Sequence, residues 1–170
     1  MRIAGTLALC LALSACSGEA PPRPAPELAS LLIGPGRVGP LHVGMDHDDA
    51  ARTGMVRSGD DGECRDWIVS TYPRETVYFE FCQGDDDDLD GILVKVAGPH
   101  TREGIEVGAR RSEVEKAYGD RLVKAPATFV EGTLVLGDEE EGDVRFNFDG
   151  GKVFTIDVTR HRTPTLDGSG

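Results

Sequence analysis

A repeat at a spacing of 64 residues constrains this chain more than any other feature of its sequence. The matched positions are Gly34-Pro35 with Gly98-Pro99, Val43-Gly44 with Val107-Gly108, and Leu41 with Ile105. Each copy continues into a short helical pattern and then into segments in which apolar residues alternate, which is typical of β-strands. The sequence therefore predicts two copies of one small unit, at residues 31–97 and 98–162.

The first unit is predicted as a short strand, a helix and an antiparallel meander. Asp46 is a suitable N-cap for the helix. Alternation predicts the three meander strands at Cys64–Ser70, Thr76–Cys82 and Ile92–Ala97.

The second unit repeats this order. Ser112 is the predicted cap of a helix over Glu113–Tyr118, with Gly119 as its end. The strands are predicted at Thr128–Leu136, Val144–Phe148 and Lys152–Val158, and Asp149-Gly150-Gly151 is a tight hairpin turn between the last two. The predicted fold class is therefore α+β, with two tandem units that each pack a short helix on a three-stranded antiparallel meander.

A disulfide between Cys64 and Cys82 follows from the predicted register of the first hairpin. A turn centred on Pro73 places Trp67 opposite Phe79 and Cys64 opposite Cys82. Strand cysteines that face each other at a non-hydrogen-bonded pair can be bridged, and an exported protein permits the bond. A bridge closing so short a loop stabilises the fold by about 3 kcal/mol. The alternative is two free thiols.

The N-terminus carries the pattern of an exported protein. Arg2 precedes a short apolar run, and residues 1–15 are predicted as a signal peptide. Leu13-Ser14-Ala15-Cys16 resembles the bacterial lipobox, which implies diacylation of Cys16 (palmitate-type chains) and cleavage before it. Two acyl chains anchor a protein stably to a bilayer. Residues 16–30 are then a proline-rich linker, and residues 163–170 a flexible tail. The alternative is an ordinary signal peptide.

The charge of the chain limits its partners. Thirty acidic residues against 18 basic ones give a formal net charge of −12. Such a surface repels nucleic acid and anionic lipid headgroups, so the expected membrane contact is the lipid anchor alone. The expected partner is another envelope or secreted protein with a basic patch.

An acidic loop is the strongest candidate for a metal site. Asp86, Asp88 and Asp90, followed by Gly91, match the first half of a calcium loop. The match fails where the bidentate glutamate should stand, because that residue is Ala97. Weak calcium binding and a solvated hairpin tip both remain open, and no other cofactor is expected.

No motif in the sequence carries catalytic chemistry, so a non-enzymatic role is predicted. A nucleophile beside a base, a phosphate loop and a dinucleotide glycine pattern are all missing from the sequence. Ile68 and Tyr78 instead share one face of the first hairpin, opposite to Trp67, and form a candidate docking patch. The alternative is that the second unit or the linker covers this face.

The pattern Val-Gly-x5-Val-x3-Tyr-Gly at Val107–Gly119, followed by a meander, resembles a group of bacterial envelope modules. That group includes the small lipoprotein of the β-barrel assembly machinery and the tandem β-lactamase inhibitory protein. In the first unit Ala50 and Gly54 replace the valine and the tyrosine. The resemblance implies a helix-on-sheet unit used twice and protein binding on a sheet face, with no residue-level site.

These observations predict a lipid-anchored protein on the extracytoplasmic side of the cell envelope that binds another protein without catalysis. The alternatives are a calcium-responsive surface module that uses the Asp86–Asp90 loop, and an envelope enzyme whose site is invisible in the sequence.

Overall fold

A computed structural model describes residues 26–58, 67–69, 79–83, 88–125, 131–138 and 140–160, with only the backbone described at 47, 57, 58, 67–69, 79–83 and 138. This part of the chain contains two α-helices, α1 (His47–Arg52) and α2 (Arg111–Tyr118). The strands are β1 (Leu32–Gly34), β2 (Arg37–Val38), β3 (Leu41–His42), β4 (Val56–Ser58), β5 (Trp67–Val69), β6 (Phe79–Gln83), β7 (Leu89–Val94), β8 (His100–Thr101), β9 (Leu122–Lys124), β10 (Leu134–Asp138), β11 (Gly142–Asp149) and β12 (Lys152–Thr159).

The strands form two sheets. The larger has eight strands in the order β4-β5-β6-β7-β12-β11-β10-β9, and every neighbouring pair in it is antiparallel. The smaller has four short strands in the order β3-β2-β1-β8, in which β1 and β8 run parallel. The described chain is therefore mostly β.

The predicted fold class of two helix-plus-three-strand units is wrong. Each half of the chain supplies four consecutive strands to the large sheet, and β7 pairs with β12 to make that sheet continuous. Sequence patterns missed β4 and β9 because each is only three residues long, too short to show an alternating period. Pairing β7 with β12 also removes two open sheet edges, which separate units would expose.

The core is shared by both halves, which further excludes two separate units. Its largest fully buried side chains form one contiguous cluster: Leu31, Val38, Leu41, Met55, Leu89, Ile92 and Val94 from the first half, and Val114, Val144, Phe146 and Ile156 from the second. In the large sheet, these residues lie on the face that the small sheet and the helices cover.

The 64-residue spacing of the sequence has a counterpart in backbone hydrogen bonds. The Gly44 amide donates to the Leu89 carbonyl at 2.7 Å, and the Gly108 amide donates to the Val153 carbonyl at 2.8 Å. Both glycines have positive φ, 83° and 97°, which a residue with a Cβ adopts only with strain. The repeated glycines therefore occupy equivalent turns, each tied to the start of β7 or β12.

The seam between the halves follows the same spacing. In the β7–β12 register Leu93 lies opposite Asp157, the residue 64 positions later in the sequence. The strand order reads identically outward from this pair, which is the arrangement of a local twofold axis.

Three local predictions can be compared with the structure. Asp46 does cap α1, since its Oδ1 accepts from the Asp49 amide at 2.8 Å. The N-cap of α2 is Arg110, two residues before the predicted Ser112. The Glu113 carboxylate accepts a hydrogen bond from the Arg110 amide at 2.6 Å, which satisfies a backbone donor at the start of the helix. The turn at Gly150 and Gly151 joins β11 to β12 as predicted.

The predicted register of the first hairpin is wrong by two residues. Ile68 pairs with Glu80, whereas a turn centred on Pro73 would have placed Ile68 opposite Tyr78. Cys64 lies outside the described residues, and the disulfide with Cys82 stays a prediction.

Candidate functional site

A cleft of about 530 Å³ lies between the small sheet and the C-terminal end of α2. We call it the arginine cleft. Its charged rim carries Arg37, Arg102 and Arg121 together with Glu103 and Glu141. Its apolar lining comes from Leu32, Ile33, Pro35, Tyr118, Leu136 and Val144.

Two turns that pack against each other close one end of this cleft. The β1–β2 turn at Gly36 contacts the β10–β11 turn at Glu141 and Gly142 so closely that a Cβ on Gly36 would overlap the Glu141 carbonyl. The φ of Gly36 is 66°, in the left-handed region that favours glycine. A glycine is therefore required for this wall, which brings β2 and its Arg37 to the edge of the large sheet.

The parallel pairing of β1 with β8 builds the second wall. Leu32 lies opposite His100 in this register, so Arg102 and Glu103 follow directly beside β1. The Leu32 side chain is 51% exposed although it is aliphatic. The rim of the cleft therefore offers an apolar contact next to guanidinium groups.

Tyr118 forms a fixed floor. It is only 4% exposed, and its ring stacks on Phe146 with the centroids 5.6 Å apart. Its hydroxyl donates to Glu103 Oε2 at 2.9 Å. Burial raises the pKa of the Tyr118 hydroxyl above its ordinary value, so the group stays a neutral donor. The Arg121 Cζ lies 5.7 Å from the ring centroid, a cation–π distance.

The three guanidinium groups of the cleft are available. Within the part of the chain that the structure describes, Arg37 and Arg102 make no side-chain hydrogen bond or ion pair, and Arg121 contacts only the Tyr118 ring. All three residues are exposed. The chain as a whole carries a net charge of −12, so this cleft concentrates positive charge on an acidic protein.

A second groove, of about 610 Å³, lies on the other side of α2 and is mainly acidic. Glu103, Glu106 and Glu113 line it together with Lys116. Glu106 accepts from the Gly98 amide at 2.8 Å, and Glu113 accepts from the start of α2. Because these two carboxylates already accept hydrogen bonds from backbone amides, they are less available to a ligand than the arginines of the cleft.

A polar network lies on the second face of the large sheet, the face away from the shared core. Asn147 Nδ2 donates to Thr155 Oγ1 and to Asp157 Oδ2, both at 2.9 Å, and Arg145 pairs with Asp143 at 3.3 Å. Burial raises the pKa of the Asp157 carboxyl above its ordinary value, and the hydrogen bond from Asn147 opposes that shift. Within the described residues Asp157 Oδ1 is buried without a hydrogen-bond partner, so this network is not fully satisfied.

The predicted calcium ligands fall only partly within the described residues. Asp88 accepts a charged hydrogen bond from Arg160 Nη2 at 2.9 Å, and Asp86 lies outside the described ranges. A calcium ion at Asp88 would compete with this guanidinium. Among the residues whose placement is described, no group of three or more His, Cys, Asp or Glu side chains could hold a metal ion. Weak calcium binding at Asp86, Asp88 and Asp90 stays a prediction.

The other predicted site residues are not brought together by the described structure. Ile68 is described in its backbone only, whereas Tyr78 and the lipidation residue Cys16 fall outside the described residues. Sequence reasoning missed the arginine cleft because Arg37, Arg102 and Arg121 come from three distant segments with no shared local motif. Only the fold places them on one rim.

No helix in the described part of the chain is long and apolar enough to cross a membrane. Comparison with protein-family models, curated proteins and solved structures finds no match for this chain. The resemblance to the envelope modules therefore stays a prediction.

Proposed function

We propose that this chain is a lipid-anchored protein of the cell envelope that binds a partner protein through the arginine cleft, without catalysis. The observation that carries the proposal is a cleft in which three arginines form no ion pair with any described residue, above the buried Tyr118 ring and beside the exposed Leu32. Arginine is among the residues that most often dominate binding energy at protein interfaces.

The preorganisation of the cleft supports a binding role. The Tyr118 ring is held by Phe146 and by its hydroxyl bond to Glu103, so its position costs no ordering when a partner arrives. Leu32 is half-exposed at the rim, where burial by a partner would remove apolar area from water. The site therefore combines a rigid polar part with a small apolar anchor, which is the usual anatomy of an interface.

The net charge contributes at longer range. A charge of −12 attracts a partner with a basic patch and speeds the encounter at low ionic strength. The arginine cleft then acts at short range, where local charges outweigh the screened total. A basic patch of the predicted partner would face the acidic remainder of the surface, and a different segment of that partner would occupy the arginine cleft.

A photo-cross-linking experiment tests the binding role. A photoreactive amino acid replaces Leu32 at the cleft and, as a matched control, Phe154, which is 42% exposed on β12 and does not line the cleft. We expect a specific protein adduct from position 32 in producing cells, and its loss when Arg121→Glu is added. A protein adduct from neither position, or the same adducts from both, would refute the proposal.

The anchor is tested separately. The Leu13–Cys16 pattern predicts a mature chain that begins at Cys16 and carries acyl groups. Intact-mass spectrometry of the membrane fraction should show the lipid mass, and a Cys16→Ser variant should appear in the soluble fraction. A mature chain without acyl groups would refute the anchor and leave the cleft proposal untouched.

A further inference from the structure

We infer that the arginine cleft takes an acidic peptide segment, whose carboxylates pair with Arg37, Arg102 and Arg121 while an aliphatic side chain packs on Leu32. The inference rests on the proposed function and names the chemistry of the partner segment that occupies the cleft.

The pairing of arginines elsewhere in the fold carries this argument. Four arginines outside the cleft each form an ion pair within the described structure: Arg52 with Asp49, Arg111 with Glu115, Arg145 with Asp143 and Arg160 with Asp88. Acidic residues outnumber basic ones by 30 to 18, so a carboxylate partner is easily found within this chain. Of the four other arginines whose side chains are described, none forms an ion pair within the described residues, and three of them share this cleft, whereas Arg110 lies outside it.

The chemistry of the rim selects carboxylates. A guanidinium presents a planar fork of donors that matches a carboxylate with two parallel hydrogen bonds. The Arg121 Cζ lies 5.7 Å from the centroid of the Tyr118 ring, which places one guanidinium group at the floor of the cleft. The exposed Leu32 beside the charges favours a segment in which acidic and aliphatic residues are neighbours.

The charge of the whole chain argues against polyanions as occupants. A net charge of −12 repels nucleic acid and strongly anionic surfaces, because many negative charges would approach together. A peptide with one or two carboxylates meets much less of this repulsion and gains the local contacts. The volume of about 530 Å³ lies within the usual size of a ligand site and suits a few residues of an extended chain.

Fluorescence anisotropy tests the inference directly. The probe is a labelled peptide with two glutamates flanked by leucines, and its control is the same peptide with glutamines. We expect the acidic peptide to bind roughly tenfold or more tightly than its glutamine counterpart, since charged hydrogen bonds add about this much. Affinity should fall as the salt concentration rises.

Variants locate the binding. Arg102→Gln and Arg121→Gln should each weaken the acidic peptide by roughly tenfold. Lys124→Gln removes one positive charge from an exposed residue outside the cleft and should change affinity less than twofold. Circular dichroism confirms that each variant is folded, so a loss of binding reports the cleft itself.

The outcomes separate this inference from the proposed function. Equal binding of the two peptides, binding that Lys124→Gln weakens as much as the arginine variants, or equally strong displacement by inorganic phosphate would overturn the acidic-peptide assignment. If a partner still cross-links at Leu32, the protein-binding function stands in each of these cases. If the cross-link at Leu32 also fails, both the acidic-peptide inference and the protein-binding function are refuted.

Discussion

The wall of the arginine cleft depends on Gly36, and a Gly36→Ala substitution measures how much. The new Cβ would overlap the backbone carbonyl of Glu141 and approach a Val43 methyl group. Because the obstructing atoms at Glu141 are backbone, no side-chain rotation relieves the overlap, and the β1–β2 and β10–β11 turns must separate.

The expected cost has two parts. Placing a non-glycine residue in the left-handed region costs about 1–2 kcal/mol. Forcing an extra carbon into a packed contact costs about 1–3 kcal/mol more. We therefore expect Gly36→Ala to lower the free energy of unfolding by about 2–5 kcal/mol, a large share of the ~5–15 kcal/mol that domains possess.

Gly104→Ala is the matched control. Gly104 also has positive φ, 81°, but a Cβ built there meets no atom within 4 Å. The Gly104→Ala variant should lose only the free energy of placing alanine in the left-handed region, about 1–2 kcal/mol. The effect of alanine on the unfolded chain is shared by both variants and cancels in the comparison.

Urea unfolding followed by far-ultraviolet circular dichroism gives both free energies. The difference between the two variants isolates the packing of the two turns. Equal losses from Gly36→Ala and Gly104→Ala would show that the turns do not hold each other, and the closed wall of the cleft would be refuted.

Three further substitutions test the site and the sheet. Tyr118→Phe removes the hydroxyl bond to Glu103 but keeps the ring, so unfolding experiments should show a loss of about 0.5–1.5 kcal/mol; no loss would contradict the bond. Asp46→Ala should cost about 1 kcal/mol in the same assay, because the N-cap of α1 is lost, and a neutral effect would contradict its capping role. For Asp157, burial raises the folded-state pKa above the unfolded value of 3.8, so the stability contributed by its protonated form is complete below that value and disappears as the pH rises through the folded-state pKa. The unfolding free energy of Asp157→Asn relative to the native protein should therefore increase as the pH rises above 3.8, and a constant difference would contradict the raised pKa.

Local sequence signals predicted the local structure well. The caps at Asp46 and Gly119, the turn at Gly150 and the apolar alternation of the last two strands all depend on neighbours within a few residues. Such signals are readable because both partners of each interaction lie in one short window. The same reasoning failed for the three-residue strand β4, whose pairing partner β5 must be supplied by another segment.

The candidate site shows the same limit more strongly. The sequence predicted the helix that ends in Tyr118 but gave no role to the tyrosine hydroxyl. Its hydroxyl partner, Glu103, and its stacking partner, Phe146, lie far away along the chain. No periodicity could join Arg37 to Arg121, since their proximity depends on how the small sheet packs against the large one.

The 64-residue spacing, the acidic charge and the glycine turns can be read from the order of the residues, because each is a local or compositional property of the chain. The tertiary structure alone decided that β7 pairs with β12, that the two halves share one core, and that three arginines meet at a single cleft. The physical reason is that strand pairing satisfies backbone groups regardless of side chain, so many partners are locally acceptable. The choice among them is made by burial of the whole apolar surface, a quantity that no short window contains.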